Sequence, residues 1–218
     1  MQQPHKVLEV SWDLKSDELL PLADLEDMVP KKLTKREVLS CLSKIYDLCG
    51  LVSPAVTPLK ITVQDCWKEK FGRDEEVNPD LRRRVEEVLK GFSGGNHRRV
   101  NQWLGITPPQ CKDTKLSLHV FCNASSTAYA AAAYIRVADK NRNVTVNLVA
   151  SKYRLAPPNG DTIPRLELLG ALLGARRLNS LRLEYSGVFK IDDELLWTDS
   201  SVVLVDKSGT PCGWSVCS

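Results

Sequence analysis

The stretch KLSLHVFCNAS, at residues 115–125, decides how this chain is expected to fold. From Leu116 to Phe121 apolar and polar residues alternate, which is the period of a β-strand with one buried face. A second strand pattern covers 128–137 and a third covers 144–148, and residues 141–143 between them read as a hairpin turn. The second half of the chain is therefore predicted to open with three hairpin-connected strands.

The longest helical pattern in the sequence follows these strands. Thr162 is a candidate N-cap, and Pro164 falls in the first turn, where its missing N–H would be unpaired in any case. Gly170 and Gly174 lie four residues apart on this helix, a spacing that lets a neighbouring element approach closely. The apolar face of the helix consists of Leu166, Leu169, Leu173 and Leu178.

A fourth strand is predicted at 195–199, and a further helix begins at Ser200. The order β-β-β-α-β predicts a mixed α/β sheet, in which the crossover helix places the fourth strand parallel to the first. Asn123 follows the first strand and Asp199 ends the fourth, so these two side chains should be neighbours. Glu167, in the first turns of the helix, should point toward the same place. The three polar residues form a candidate site at one edge of the sheet.

The first half of the chain reads as mainly helical, after a possible strand within 6–12. Thr34 and Glu37 form a capping box, and the helix that they start is expected to end at Gly50. Residues 78–79 supply an Asn N-cap and a Pro at the first position of another helix. The helix between these two is expected to face the core with Leu59, Ile61, Val63, Cys66 and Trp67.

The composition is that of a folded globular protein, with 43% hydrophobic and 26% charged residues and a net charge of +3. The arginine run at 82–84 is interpreted as a solvated helix face. Seven cysteines without a CxxC pair predict neither a zinc site nor a disulfide framework, and they favour an intracellular, cytoplasmic location. Cys122 is interpreted as a buried apolar residue rather than a nucleophile. Neither a signal peptide nor a membrane-spanning stretch is predicted.

Four short segments, taken in order, resemble the polyprotein of BEL/Pao-type retrotransposons. They are TKREVL at 34–39, LHVFCNAS at 118–125, TIPRLEL at 162–168 and WTDS at 197–200. The resemblance covers roughly residues 6–204, and four ordered matches are far more specific than any one alone.

The resemblance implies a reverse transcriptase end, or connection-like helical region, over 1–110 and a ribonuclease H-like mixed sheet with a crossover helix over 113–204. The overall class would be α/β, or α+β for the whole chain. It implies that Asn123, Glu167 and Asp199 stand at the catalytic and metal-binding positions, where two Mg²⁺ ions would assist phosphodiester hydrolysis. The implied partners are an RNA–DNA hybrid, or another nucleic acid, and other parts of the polyprotein, with no membrane.

The sequence departs from the family pattern in four places. Position 123 carries Asn where the family has Asp, the turn at 47–50 lacks its Pro, and Glu9 stands where Gly is expected. After Leu204 the resemblance ends, and residues 205–218 read as a non-homologous tail. The site then keeps two of its four expected carboxylates, so we expect a degenerate, inactive nuclease. Loss of the later strand should also leave an exposed sheet edge and a marginally stable domain.

Two other functions fit parts of the sequence. An aspartic peptidase of the Pao retrotransposon type would need paired Asp-Thr/Ser-Gly turns, but the segments at 161–163 and 199–201 lack the Gly. A non-catalytic connection module is the second alternative. In it, residues 31–110 would bind nucleic acid, and the arginine run at 82–84 would contact phosphates.

Overall fold

The computed structural model describes residues 5–7, 10–16, 18–20, 30–47, 49–92, 100–101, 114–141, 143–158, 160–204 and 214–216. The chain divides into two compact units, Met1–Gln102 and Trp103–Ser218. Within the described ranges, the helices are all too short or too polar to cross a membrane.

The first unit combines three helices with a small antiparallel sheet. The helices are α1 (Lys35–Ser43), α2 (Ser53–Lys68) and α3 (Pro79–Phe92), and the strands are β1 (His5–Val7), β2 (Val10–Asp13), β3 (Glu18–Leu20) and β4 (Val100–Asn101). The sheet order is β1-β2-β3-β4. The single strand expected within 6–12 is wrong, because β1 and β2 pair with each other as a hairpin.

Helix α1 begins where the capping box predicts. The Thr34 hydroxyl accepts the backbone N–H of Glu37 at 3.3 Å, which satisfies one of the free donors of the first turn. The helix ends at Ser43 and not at Gly50, so the predicted end is wrong. The reason lies at Asp47, whose carboxylate accepts two backbone N–H groups of the following segment, at 2.6 and 3.0 Å. These bonds fix a turn that leads into α2.

The three helices of the first unit share one apolar core. The buried members are Leu33, Val38, Cys41, Leu59, Cys66, Val77, Leu81, Val85 and Leu89. Trp67 was predicted in this core, but it is 63% exposed. Its ring instead lies 4.0 Å from the Lys35 ammonium, which donates to the Phe71 carbonyl at 2.8 Å. This cation–π contact keeps the large ring at the surface.

The second unit is built on a five-stranded mixed sheet. Its elements are β5 (Lys115–Ala124), β6 (Ala128–Ala138), β7 (Val144–Leu155), α4 (Ile163–Tyr185), β8 (Asp193–Thr198), α5 (Ser201–Leu204) and β9 (Trp214–Val216). The strand order is β7-β6-β5-β8-β9, with β5 antiparallel to β6 and parallel to β8. The predicted hairpins, the crossover helix and the parallel return are all confirmed.

Helix α4 packs against β5 through its two glycines, as their spacing predicts. A Cβ at Gly170 would lie 3.3 Å from the backbone oxygen of Asn123. A Cβ at Gly174 would lie within overlap distance of the Cys122 sulfur. Since α4 reaches Asn123 first and Cys122 one turn later, the helix runs antiparallel to β5 along its buried face.

The segment after α5 contributes a strand to the sheet. Strand β9 pairs parallel with β8, where Leu196, Trp197 and Thr198 face Trp214, Ser215 and Val216. The expectation that β8 would be an exposed edge is therefore wrong over these three positions. The expected lack of a later strand rested on the family resemblance, which ends before β9.

Candidate functional site

Asn123 lies near the end of β5 with an exposed side chain. In the sheet it is paired with Ala130 of β6. Its side-chain oxygen accepts the backbone N–H of Ala124 at 2.6 Å. This local bond occupies one lone pair of the amide oxygen, the atom that a hard cation would need.

The parallel register of β5 and β8 brings the other strand end to the same level. Phe121 is paired with Trp197, and the candidate residues Asn123 and Asp199 each follow two positions later. Asp199 stands directly after the last residue of β8, and its side chain is exposed. The register thus directs both side chains to the same edge of the sheet.

Glu167 projects from the first turns of α4 and is half-buried. One of its carboxylate oxygens accepts the hydroxyl of Ser200 at 2.6 Å. Ser200 is buried, and its backbone N–H donates to the Thr198 hydroxyl at 3.2 Å. Glu167 is therefore held beside the residue that follows Asp199. The sequence offered no signal for this contact, because the two partners are 33 positions apart.

The donor set at this edge does not fit a pair of divalent metal ions. Glu167 and Asp199 are carboxylates, whereas Asn123 contributes a neutral amide. Across the described residues, no group of three or more His, Cys, Asp or Glu side chains could hold a metal ion. Two Mg²⁺ ions at close distance need bridging carboxylates to offset their mutual repulsion. An amide oxygen supplies neither the charge nor the second oxygen of such a bridge.

Cys122, beside the candidate site, faces the interior. Burial raises the pKa of its thiol to about 12, so the reactive thiolate is scarce at neutral pH. Its sulfur packs against Gly174 of α4. The prediction that Cys122 is a buried apolar residue is confirmed.

The arginine run of α3 is neutralised within its own unit. Arg82 pairs with Glu86 at 2.8 Å, Arg83 pairs with Glu87 at 2.9 Å, and Arg84 pairs with Asp65 of α2 at 2.9 Å. Arg82 also donates to backbone carbonyls that precede α1. A phosphate would have to compete with these partners, which weakens the case for the run as a nucleic-acid contact.

The peptidase alternative rests on Asp161 and Asp199. The Asp161 carboxylate pairs with the Arg165 guanidinium at 3.0 Å, one turn into α4. An aspartic dyad instead requires two carboxyl groups that share a proton. The Asp161 carboxylate does not fit that role, because its partner is a guanidinium and not a second carboxyl group.

A mixed sheet of this order, with a helix crossing between two parallel strands, defines the ribonuclease H-like class of fold. The model of the Pao retrotransposon-like RNaseH-like domain family matches residues 34–200, which is most of the chain. The chain therefore belongs to this family. No curated protein matches it.

Two solved structures are similar to the chain at 13% identity each. The foamy viral protease-reverse transcriptase, in a complex with double-stranded DNA, has a TM-score of 0.43 and covers 88% of this chain. LC11-RNase H1, in a complex with an RNA/DNA hybrid, has a TM-score of 0.25 and covers 44% of it. This chain spans only 31% of the first relative and 62% of the second.

Proposed function

We propose that this chain is a catalytically inactive ribonuclease H-like domain of a retrotransposon polyprotein, with Asn123, Glu167 and Asp199 marking the former metal site. The observation that carries the proposal is the amide at position 123. Its oxygen already accepts the N–H of Ala124, and within the described residues the candidate neighbours at the sheet edge supply two carboxylates. The family's chemistry needs Mg²⁺, and this donor set leaves two such ions under-neutralised.

The charge balance of the edge also bears on nucleic-acid binding. Without bound cations, Glu167 and Asp199 repel the phosphates of an approaching strand. Asn123 offsets part of that repulsion, since its amide nitrogen can donate a hydrogen bond to a phosphate oxygen or a 2′-hydroxyl. We therefore expect weak binding of RNA–DNA hybrids that strengthens modestly with millimolar Mg²⁺ and weakens with added monovalent salt.

A hydrolysis assay tests the proposal. The purified chain is incubated with a labelled RNA–DNA hybrid and either Mg²⁺ or Mn²⁺, and release of RNA fragments is followed. We expect no cleavage above the blank. Turnover within about tenfold of an active family member at equal concentration would overturn the proposed inactivity; tenfold corresponds to about 1.4 kcal/mol in the barrier.

Two variants sharpen this assay. Asn123→Asp restores the lost charge, but we expect it to fall short of full activity, because the side-chain oxygen at this position already accepts the backbone N–H of Ala124. Glu167→Gln is the matched control. Any cleavage that survives this substitution comes from a contaminating nuclease and not from the candidate site.

The proposal extends to the organisation of the polyprotein. We assign residues 1–110 to the reverse transcriptase connection, 113–204 to the ribonuclease H-like domain and 205–218 to a tail outside the family. Other parts of the polyprotein are then the natural partners, and an intracellular location belongs to the same proposal. The three arginines of α3 form ion pairs within their own unit. This supports a connection region in which they stabilise the fold rather than bind phosphates.

A further inference from the structure

The sheet of the second unit has a second face, opposite to the one that α4 covers. Leu116, Leu118, Val120 and Cys122 of β5 are buried toward the helix, so the residues between them point to the other side. A recess of about 500 Å³ lies on that second face. It is lined by His119, Phe121, Ala132, Tyr134, Arg136 and Val146. We refer to these six residues as the aromatic recess.

The rings in and beside this recess lie nearly parallel to one another. The planes of His119 and Trp197 differ by 9°, and the indole N–H of Trp197 donates to His119 Nδ1 at 3.1 Å. Because the N–H lies in the plane of the indole, this bond keeps the imidazole edge close to that plane. The centroids of the two rings lie 5.9 Å apart. The Phe121 ring stacks beside the indole with a centroid distance of 5.8 Å and planes 10° apart, and the Tyr134 ring meets Phe121 edge-on at 83°.

A chain of hydrogen bonds holds this surface in place. His119 Nδ1 accepts from Trp197, so the neutral imidazole carries its proton on Nε2 and donates it to the Ser117 hydroxyl at 3.0 Å. Both nitrogens of the ring are engaged. A prepositioned aromatic surface binds a planar ligand at a small cost in side-chain entropy.

Arg136 supplies a positive charge at the rim. Arg136 is one of the residues that line the recess, and in the described part of the chain no carboxylate pairs with its guanidinium. The nearby Asp193 is already engaged by Lys115 at 2.7 Å. A half-buried guanidinium with no carboxylate partner among the described residues attracts an anion, and a phosphate is the anion that guanidinium geometry fits best.

An exposed aromatic ring and an arginine side chain in one recess match the base and the phosphate of one nucleotide. We propose that the aromatic recess binds an unpaired base of a single-stranded nucleic acid, with the base stacked on Phe121 and a phosphate held by Arg136. An apolar peptide would be satisfied by the rings but would leave the guanidinium without a partner. A base inside a duplex is excluded, because its faces are already stacked.

This inference is separate from the proposed function, because it needs neither a metal ion nor Glu167. The test is fluorescence anisotropy of the whole chain with a short labelled oligothymidylate and with a duplex of the same length. We expect the single strand to bind more tightly. Phe121→Leu should weaken single-strand binding about fivefold to a hundredfold, the range found when the aromatic side chain that stacks on one base is removed.

Charge is tested with a matched pair of variants. Arg136→Gln should weaken single-strand binding and lower the slope of log affinity against log salt by about 0.7, the value for one phosphate contact. Arg176→Gln removes the same charge from an exposed position on α4 and should change neither. Thermal melts of all three variants test whether they fold. If Phe121→Leu does not fold, Arg136→Gln still tests the proposal.

Two results would overturn the proposal. Equal affinity for single strand and duplex, unchanged in Phe121→Leu and Arg136→Gln, would show that the recess takes no part in binding. The second result would come from sedimentation. If the wild-type chain is a dimer that Phe121→Leu converts to a monomer, and oligothymidylate binding is unaltered, this face is a contact between copies of the chain.

Discussion

The hydroxyl of Ser200 donates to a carboxylate oxygen of Glu167 across 2.6 Å. This contact ties the segment after β8 to the first turns of α4, so it fixes where Glu167 points. Ser200 is buried, and its hydroxyl would otherwise remain unsatisfied in the protein interior.

Replacing Ser200 by Ala should lower the free energy of unfolding by about 1–2 kcal/mol, because a hydrogen bond to a charged group is lost while Glu167 regains some hydration. Urea denaturation measures the change. Ser201→Ala, at an exposed position one residue on, is the matched control and should leave the stability nearly unchanged. A Ser200→Ala protein as stable as wild type would show that the contact contributes nothing.

Gly174→Ala should destabilise the second unit by about 1–3 kcal/mol or more, because its methyl group would overlap the sulfur of Cys122. Denaturant unfolding checks this. Gly187→Ala, where a Cβ would meet no atom within 4 Å, serves as the control. Adding Cys122→Ala to Gly174→Ala removes the sulfur, so the double variant should be more stable than the two single effects added together. Strict additivity would contradict the overlap.

The pH dependence of stability should include a contribution from His119. Burial, assisted by the positive charge of Arg136 and opposed by Asp193, lowers the pKa of this imidazole below its usual value. Its unfolded form then binds a proton before its folded form does. The stabilising contribution is present above about pH 6.5, the unfolded pKa, and is lost as the pH falls through the lower folded pKa.

The comparison that isolates this group uses His119→Gln. Unfolding free energies of both proteins are measured at about pH 5 and about pH 7.5, on either side of the unfolded pKa. Wild type should lose more stability at the lower pH than the variant does, since His5 and His97 remain in both. An identical loss in the two proteins would mean that the pKa of His119 is not lowered by folding.

Thiol labelling should separate the cysteines by burial. Cys49 is exposed, whereas the thiol of Cys122 is buried with its pKa raised to about 12. In the native protein, iodoacetamide near pH 8 should modify Cys49 long before Cys122, as peptide mass mapping would show. In urea the two should react at similar rates. Rapid native labelling of Cys122 would mean that α4 separates readily from β5.

Local sequence signals predicted the order of elements in the second unit. The sequence predicted three features that depend on neighbouring residues. They are the alternation in β5, the start of α4 at Thr162 and the close approach of Gly170 and Gly174. The N-cap at Asn78 was legible for the same reason, and its side chain accepts the N–H of Leu81 at 2.9 Å.

Tertiary contacts account for what the sequence left out. Trp67 was placed in the core by its spacing, but the Lys35 ammonium keeps its ring at the surface. Arg84 was seen as part of a basic run, although its partner Asp65 lies on another helix. The hydrogen bond between Trp197 and His119 joins residues 78 positions apart, beyond the reach of any periodicity.

The parallel pairing of β9 with β8 affects how the chain folds while it is being synthesised. Hairpins β5–β6 and β6–β7 join neighbouring segments and can close as soon as they leave the ribosome. The edge of β8 stays unpaired until β9 has been synthesised. Trp214 is added about one to three seconds after Thr198, at roughly 5–20 residues per second. For that interval the growing chain presents an open strand, so the ribosome-bound polypeptide, more than the finished domain, is where a chaperone would be needed.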